Sequence, residues 1–223
     1  SIAINQKYNS LNQGKMGKKK ILFIRGNLQT YNQLYFPLGN TNSDINQRVD
    51  SSFLINKKIL NTLKNYQYDY EIIFKNYPSS ANNGYSNEDN IFWKNFLKEN
   101  GMNNIEFISN KKNTEQLLCN NQLVILPWLS TTFFQSLPFK NKIFMYDKTC
   151  FNEYFKDHKD DIFYYDDINK FTSSLEKFLP TLNKSKFSYH KDAINYFLNG
   201  NKLSNIKKSF DKSIDFILRN KDC

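Results

Sequence analysis

The chain has 223 residues, 39 % of them hydrophobic and 16 % aromatic, with only 7 Gly and 5 Pro. That length is enough to bury a core, and the composition excludes a disordered, collagen-like or glycine-rich linker protein. The formal charge of +10, from 31 Lys+Arg against 21 Asp+Glu, invites a nucleic-acid reading until the charges are placed. Residues 1–20 hold five Lys and no acid, and residues 180–223 hold nine basic residues against four Asp. The stretch between them is neutral, with 17 charges of each sign, so the excess lies at the two ends. Of the basic residues 28 are Lys and 3 Arg, beside 33 Asn, a bias of composition that does not favour the bidentate fork that phosphate recognition selects. Nucleic acid is therefore not the expected partner, and any membrane contact is expected to be peripheral, through the basic termini.

Three cysteines, Cys119, Cys150 and Cys223, are odd in number and far apart. They suggest neither a disulfide framework nor a zinc site, and a cytoplasmic, reducing location is expected. No apolar run approaches a membrane span or a signal-peptide core. The first residue is Ser1, which fits a chain that starts partway through a longer protein.

In chain order, residues 1–19 are polar and lack periodicity, a tail or interdomain linker. From Lys20 short apolar runs alternate with amphipathic stretches. Strands are predicted at Ile21–Ile24, Tyr70–Phe74, Ile105–Ile108, Leu123–Leu126, Lys142–Tyr146 and Ile162–Tyr165. Helices are predicted at Val49–Leu63, Asn90–Lys98, Thr114–Cys119, Ser130–Leu137 and Ile168–Leu179, the last with Ile168, Phe171, Leu175 and Phe178 on one face. Unbroken apolar strands alternating with helices imply an α/β fold, a Rossmann-like parallel sheet of about six strands with helices on both faces. This domain spans 20–180. After Pro180 two further helical patterns, Phe187–Leu198 and Leu203–Ile217, are divided by Asn199–Gly200 and make 181–223 a pair of appended helices.

In such a sheet ligands bind beyond the carboxyl ends of the strands, so the loops that follow them are the candidate sites. The first begins Arg25-Gly26-Asn27 and runs some twenty residues through Tyr35–Asn40, either a substrate loop or a surface excursion. The second is Lys75–Ser80, where Lys75 at a strand end can neutralise a phosphate. The third is Leu126–Leu137, in which a strand, a short turn and the hydroxyl residues Ser130, Thr131 and Thr132 open a helix, with Gln135 one turn on. These can receive a diphosphate, or Ser130 or Thr131 can simply cap the helix. Trp128 can stack on a base or pack in the core, whereas Trp93, with Phe96 and Leu97, reads as core. His158 and His190 lie in polar surroundings and are expected on the surface. No Asp-x-Asp, GxGxxG, Walker A or nucleophile-elbow pattern is present.

The stretch from Lys20 to Leu179 resembles the carboxy-terminal, nucleotide-sugar-binding half of a GT-B-fold glycosyltransferase, in its bacterial surface-polysaccharide and glycerophosphotransferase-like branches. The resemblance is carried by Glu71–Pro78, a strand ending in a basic residue and Pro, and by Val124–Leu137, a strand, turn, hydroxyl pair and helix. It implies that Ser130, Thr131 and Thr132 hold the donor phosphates, that Lys75 and Arg25 offset their charge, and that Gln135 and Trp128 meet the nucleotide. Where the family has Glu for the ribose, this chain has Gln135, and an acid before the hydroxyl pair is replaced by Trp128-Leu129. It further implies a nucleotide sugar or polyol phosphate as donor substrate, a glycan acceptor, no metal and no other cofactor. The catalytic base, which this stretch does not supply, would belong to an amino-terminal Rossmann-like domain. A noncatalytic partner-binding or regulatory module on the same sheet is the alternative.

Overall fold

The computed structural model describes residues 18–25, 42–76, 85–108, 113–128, 130–147 and 162–194, with only the backbone of 42–52 and 85–89. Six strands are present: β1 (Lys20–Ile24), β2 (Glu71–Lys75), β3 (Ile105–Ile108), β4 (Leu123–Leu126), β5 (Lys142–Tyr146) and β6 (Ile162–Tyr165). All pair in parallel, in the order β3-β2-β1-β4-β5-β6. The expected α/β, Rossmann-like sheet is thus the fold of the chain.

In the inner strands β1, β4 and β5 apolar residues run without a polar alternate because both sheet faces are covered, and each face has its own core. One face carries Ile21 and Phe23 of β1 with Ile72, Phe74, Ile125 and Phe144. Against it lie α1 (Asn42–Lys64), α2 (Tyr85–Glu99) and α5 (Ile168–Phe178), through Ile59, Leu63, Trp93, Phe171 and Leu175. The opposite face carries Leu22, Ile24, Val124, Leu126 and Met145, covered by α3 (Thr114–Asn120) and α4 (Thr131–Ser136) through Leu118 and Phe133. Register lets aromatic rings stack along the sheet: Phe23 faces Phe74 at 5.1 Å and Phe144 faces Phe163 at 4.5 Å between ring centroids. Such offset pairs add to plain area burial.

Helix ends follow local chemistry. Asn113 accepts from the Glu115 amide and Asp167 from the amides of Asn169 and Lys170, so both act as N-caps. Gly101, at φ +68°, ends α2 in the left-handed conformation open to glycine, and the Met102 amide closes back on the Leu97 carbonyl. Helix α1 begins at Asn42 and not at Val49, and α2 at Tyr85 and not at Asn90. Residues 42–48 and 85–90 are mostly polar, so they carry no apolar stripe by which periodicity could mark them.

The carboxy-terminal segment departs from expectation. After α5 the chain forms a 3-10 turn (Leu179–Lys184), then runs without helix through 185–190, and α6 (Lys191–Ile194) begins four residues after Phe187. The side chains of this extended strap alternate: Phe187 lies under the ammonium groups of Lys19 and Lys142, Tyr189 under that of Lys140. His190, expected on the surface, is fully buried, with Nε2 3.0 Å from Asn141 Oδ1, because the strap turns it against the loop that leads into β5. His158, the tail 1–17, and the patterns beyond residue 194 lie outside the described residues. No helix among the described residues is long and apolar enough to cross a membrane.

Phe144 sits between Phe163, Phe171 and Phe178 with no exposed surface to speak of. Its truncation to Ala is expected to cost about 3–5 kcal/mol in urea unfolding. Asp167 has a pKa held below the ordinary 3.8, chiefly by the Lys170 amide. A depressed folded pKa stabilises the fold above the unfolded value and loses that contribution as pH falls. Asp167→Ala is therefore expected to lower the urea midpoint at pH 7, and the gap from the parent chain to narrow below about pH 3.8; a gap independent of pH would contradict the charged cap.

Candidate functional site

The strand order reverses direction at β1: the connections lead outward to β2 and β3 on one side, then cross back so that β4 pairs on the other. Diverging crossovers leave a crevice at the carboxyl ends of the two strands on either side of the reversal. Here those are β1, followed at once by Arg25, and β4, followed by Pro127-Trp128 and then Ser130. Lys75 is the last residue of β2, paired in register with Ile24. The structure therefore brings Arg25, Lys75 and the Ser130–Thr131 turn to one edge of the sheet. The segments 26–41, 77–84 and 148–161 leave the same edge and lie outside the described residues, as do the Tyr35–Asn40 and Tyr77–Ser80 parts of the candidate loops.

Arg25 is completely buried. Its backbone amide donates to the Lys75 carbonyl at 3.1 Å, a last rung continuing the β1–β2 ladder. Its Nε donates to Asn76 Oδ1 at 2.9 Å, and its guanidinium carbon stands 5.0 Å over the ring of Trp93. Burial pushes the guanidinium down to about 9, which still leaves it charged at neutral pH. Lys75 is also buried; its Nζ donates to the Asn76 carbonyl at 3.1 Å, and desolvation lowers its pKa. Holding each cation out of water is costly, of the order of several kcal/mol after relaxation. A charged hydrogen bond of about 1.5–3 kcal/mol and a desolvated cation–π contact of about 2 kcal/mol are of comparable size for Arg25.

The β4 side offers hydroxyls. Ser130 stands at the N-cap of α4, but its side chain makes no capping bond, unlike those of Asn113 and Asp167. The cap reading thus does not account for its hydroxyl. Thr131 and Gln135 are both exposed and one turn apart, so they share the solvent face of α4. Thr132 is buried, its side chain turned toward the second core, and Trp128 is 7 % exposed and mostly packed. Helix α4 has six residues, which makes the backbone contribution at its start a matter of a few amides and not of a long dipole.

Residues that the sequence did not single out complete the site. Asn76 Nδ2 donates to Asn90 Oδ1 at 2.7 Å, which ties the end of β2 to α2, and the Asn76 amide donates to the Ile108 carbonyl at 2.9 Å. Trp93, one turn after Asn90, was read as core and is fully buried among Phe53, Phe74 and Phe96, yet it also forms the platform under Arg25. The one sequence signal for this pair is an Asn three positions before a Trp on an otherwise apolar helix face. Across the sheet, Asp147 is buried after β5, and Tyr146 beside it is pushed up to about 12 by burial and then by Asp167, Asp147 and Asp166. Among the described residues no three His, Cys, Asp or Glu side chains converge as a metal site would require.

Comparison with protein-family models, with curated proteins and with solved structures found no match to this chain.

A cation placed for function is expected to be replaceable at small cost to the fold. Arg25→Met keeps the length and the stacking on Trp93 while removing the buried charge, and is expected to shift stability by less than about 2 kcal/mol in urea unfolding. A loss of the size expected for Phe144→Ala would instead make Arg25 a structural element.

Proposed function

We propose that this domain is the donor-binding half of a glycosyltransferase of the GT-B type, and that it takes a nucleotide-activated sugar or polyol phosphate for the building of a cell-surface polysaccharide. The observation that carries the reading is the reversal of strand order between β1 and β4, with a buried cation on one side and uncommitted hydroxyls on the other. The donor diphosphate lies across the crevice. Ser130 and Thr131 donate to its oxygens, Arg25 and Lys75 balance its charge, and Gln135 and Trp128 face the nucleoside. Thr132 supports the turn from the core side.

When the sugar passes to the acceptor, the bond from its anomeric carbon to the diphosphate oxygen breaks and the electron pair stays on the phosphate. Cations already stripped of water stabilise that developing charge more strongly than solvated ones, since they need no reorganisation. The acceptor hydroxyl loses its proton to a base outside this domain, in a second Rossmann-like half facing the same strand edge. Replacement of the family's Glu by Gln135 keeps a hydrogen bond to a ribose hydroxyl but gives up the charged acceptor, and so weakens the hold on the nucleoside.

Titration calorimetry with uridine and cytidine diphosphates tests the reading. Binding is expected, and Ser130→Ala combined with Thr131→Ala is expected to weaken it about tenfold, the equivalent of one charge-assisted hydrogen bond. Absence of binding, or affinity untouched by the double substitution, removes the donor-site assignment. Binding by the whole gene product without turnover on any acceptor would favour the noncatalytic module.

A further inference from the structure

The basic excess at the two ends of the chain meets at one edge of the fold. Strands β1 and β5 begin at Lys20 and Lys142, and the strap of residues 185–190 passes their amino ends on its way from one core to the other. Leu182 and Phe187 before and within it pack with the first core, Ala193 and Ile194 after it with the second. The Phe187 ring lies under the ammonium groups of Lys19, at 5.0 Å, and Lys142, at 5.9 Å, and the Tyr189 ring lies under that of Lys140, at 4.7 Å. Lys184, Lys186 and Lys191 of the same segment are exposed, and the sole acid in residues 184–194 is Asp192. Asp69 and Glu71 stand at the neighbouring start of β2, where Lys20 pairs with Glu71 at 2.7 Å and Lys18 donates to the Tyr68 carbonyl. The chain enters the described fold at Lys18 and leaves it at Ile194, one helical turn after His190. What lies outside adds to the same sign: residues 1–17 hold Lys7 and Lys15 with no acid, and residues 195–223 hold six basic residues against three Asp.

We propose that this amino edge is a docking surface for a bilayer with anionic headgroups. Lysines clustered near a negatively charged leaflet each add to the attraction, and here Lys19, Lys140, Lys142, Lys184, Lys186 and Lys191 gather around a strap whose one acid is Asp192. The chemistry fits a membrane better than a nucleic acid for two reasons. None of the six is an arginine, so the cluster offers hydrated point charges suited to a diffuse potential and no fork that grips a phosphate in two places. The faces of Phe187 and Tyr189 that meet the lysines cannot also take stacked bases. The five residues of β1 put this edge about 17 Å from the opposite, carboxyl edge, where the β1–β4 crevice lies. Docking by the amino edge therefore leaves the crevice open on the side away from the bilayer, and the proposal stands apart from the donor-site reading.

Cosedimentation of the full chain with vesicles tests it, using phosphatidylcholine alone and phosphatidylcholine with about one third phosphatidylglycerol, at about 50 mM and about 500 mM salt. The edge variant combines Lys184→Gln, Lys186→Gln and Lys191→Gln. A control variant combines Lys58→Gln, Lys94→Gln and Lys170→Gln, exposed positions on α1, α2 and α5 that remove the same charge elsewhere. Surface changes of this kind are expected to leave the circular dichroism of both variants as in the parent. The parent is expected to bind the anionic vesicles at low salt, and to bind neither the neutral vesicles nor, at high salt, the anionic ones. The edge variant is expected to bind at least about tenfold more weakly, and the control to stay within about threefold of the parent. Equal weakening in the two variants assigns the effect to net charge and overturns the docking surface. Binding to neutral vesicles, or to no vesicles at all, overturns it too. Binding of a single-stranded RNA through the same three lysines, with no binding to anionic vesicles, gives the edge to nucleic acid and overturns the membrane. Titration with uridine diphosphate is expected to give the same result for the parent and the edge variant, so a failed docking surface and a failed donor site are read separately.

Discussion

Everything at the functional edge depends on where β1 ends. It is the central strand, paired on both sides and buried on both faces, and the residue that follows its last apolar position is an arginine. A parallel sheet sandwiched by helices has no dry place for a charge except at the strand ends, where backbone groups also run out of partners. Arg25 meets both needs at once: its amide continues the ladder to Lys75, and its side chain is enclosed by Trp93 and Asn76. The aromatic cluster on the α1–α2 face is thus a core and also the wall against which a cation is kept in place.

The fold was largely legible in the sequence because the physics behind it is local. Six apolar runs marked six strands within a residue or two, and unbroken apolarity implied burial on both faces. Strand order was not legible, since apolar runs of Ile, Leu and Phe do not say which neighbours they pair with. At the site, Arg25, Lys75 and Ser130 were recognisable from their position at strand ends. Asn76, Asn90 and Trp93 were not, because their role arises from contacts between β2 and α2 that sequence spacing does not display. His190 differs for a related reason: the polar run around it reads as surface, while its ring is buried against Asn141, a contact between residues 49 positions apart that no local pattern displays.

Charge placement reads differently once the structure is known. The net +10 is a property of the ends of the chain, and most lysines of the sheet domain are exposed or half-exposed, as Lys20 is in its pair with Glu71. Surface pairs of that kind contribute little. Among the described basic residues of the neutral middle, the two that count for the candidate site are those removed from water, Arg25 and Lys75, and a tally of charges gives them no more weight than the rest.

Burial also explains why the first of these is an arginine in a chain with so few. A lysine ammonium at position 25 would be a strongly hydrated point charge with no plane to lay on Trp93 and no secondary nitrogen to anchor on Asn76. Desolvation would press its pKa down, as it does at Lys75, and weaken the charge that an anion site needs. The guanidinium is less hydrated to begin with and keeps its proton at about 9 even when enclosed. In a composition drifting toward lysine, an arginine kept at the end of the central strand is the side chain whose charge survives the place where it stands.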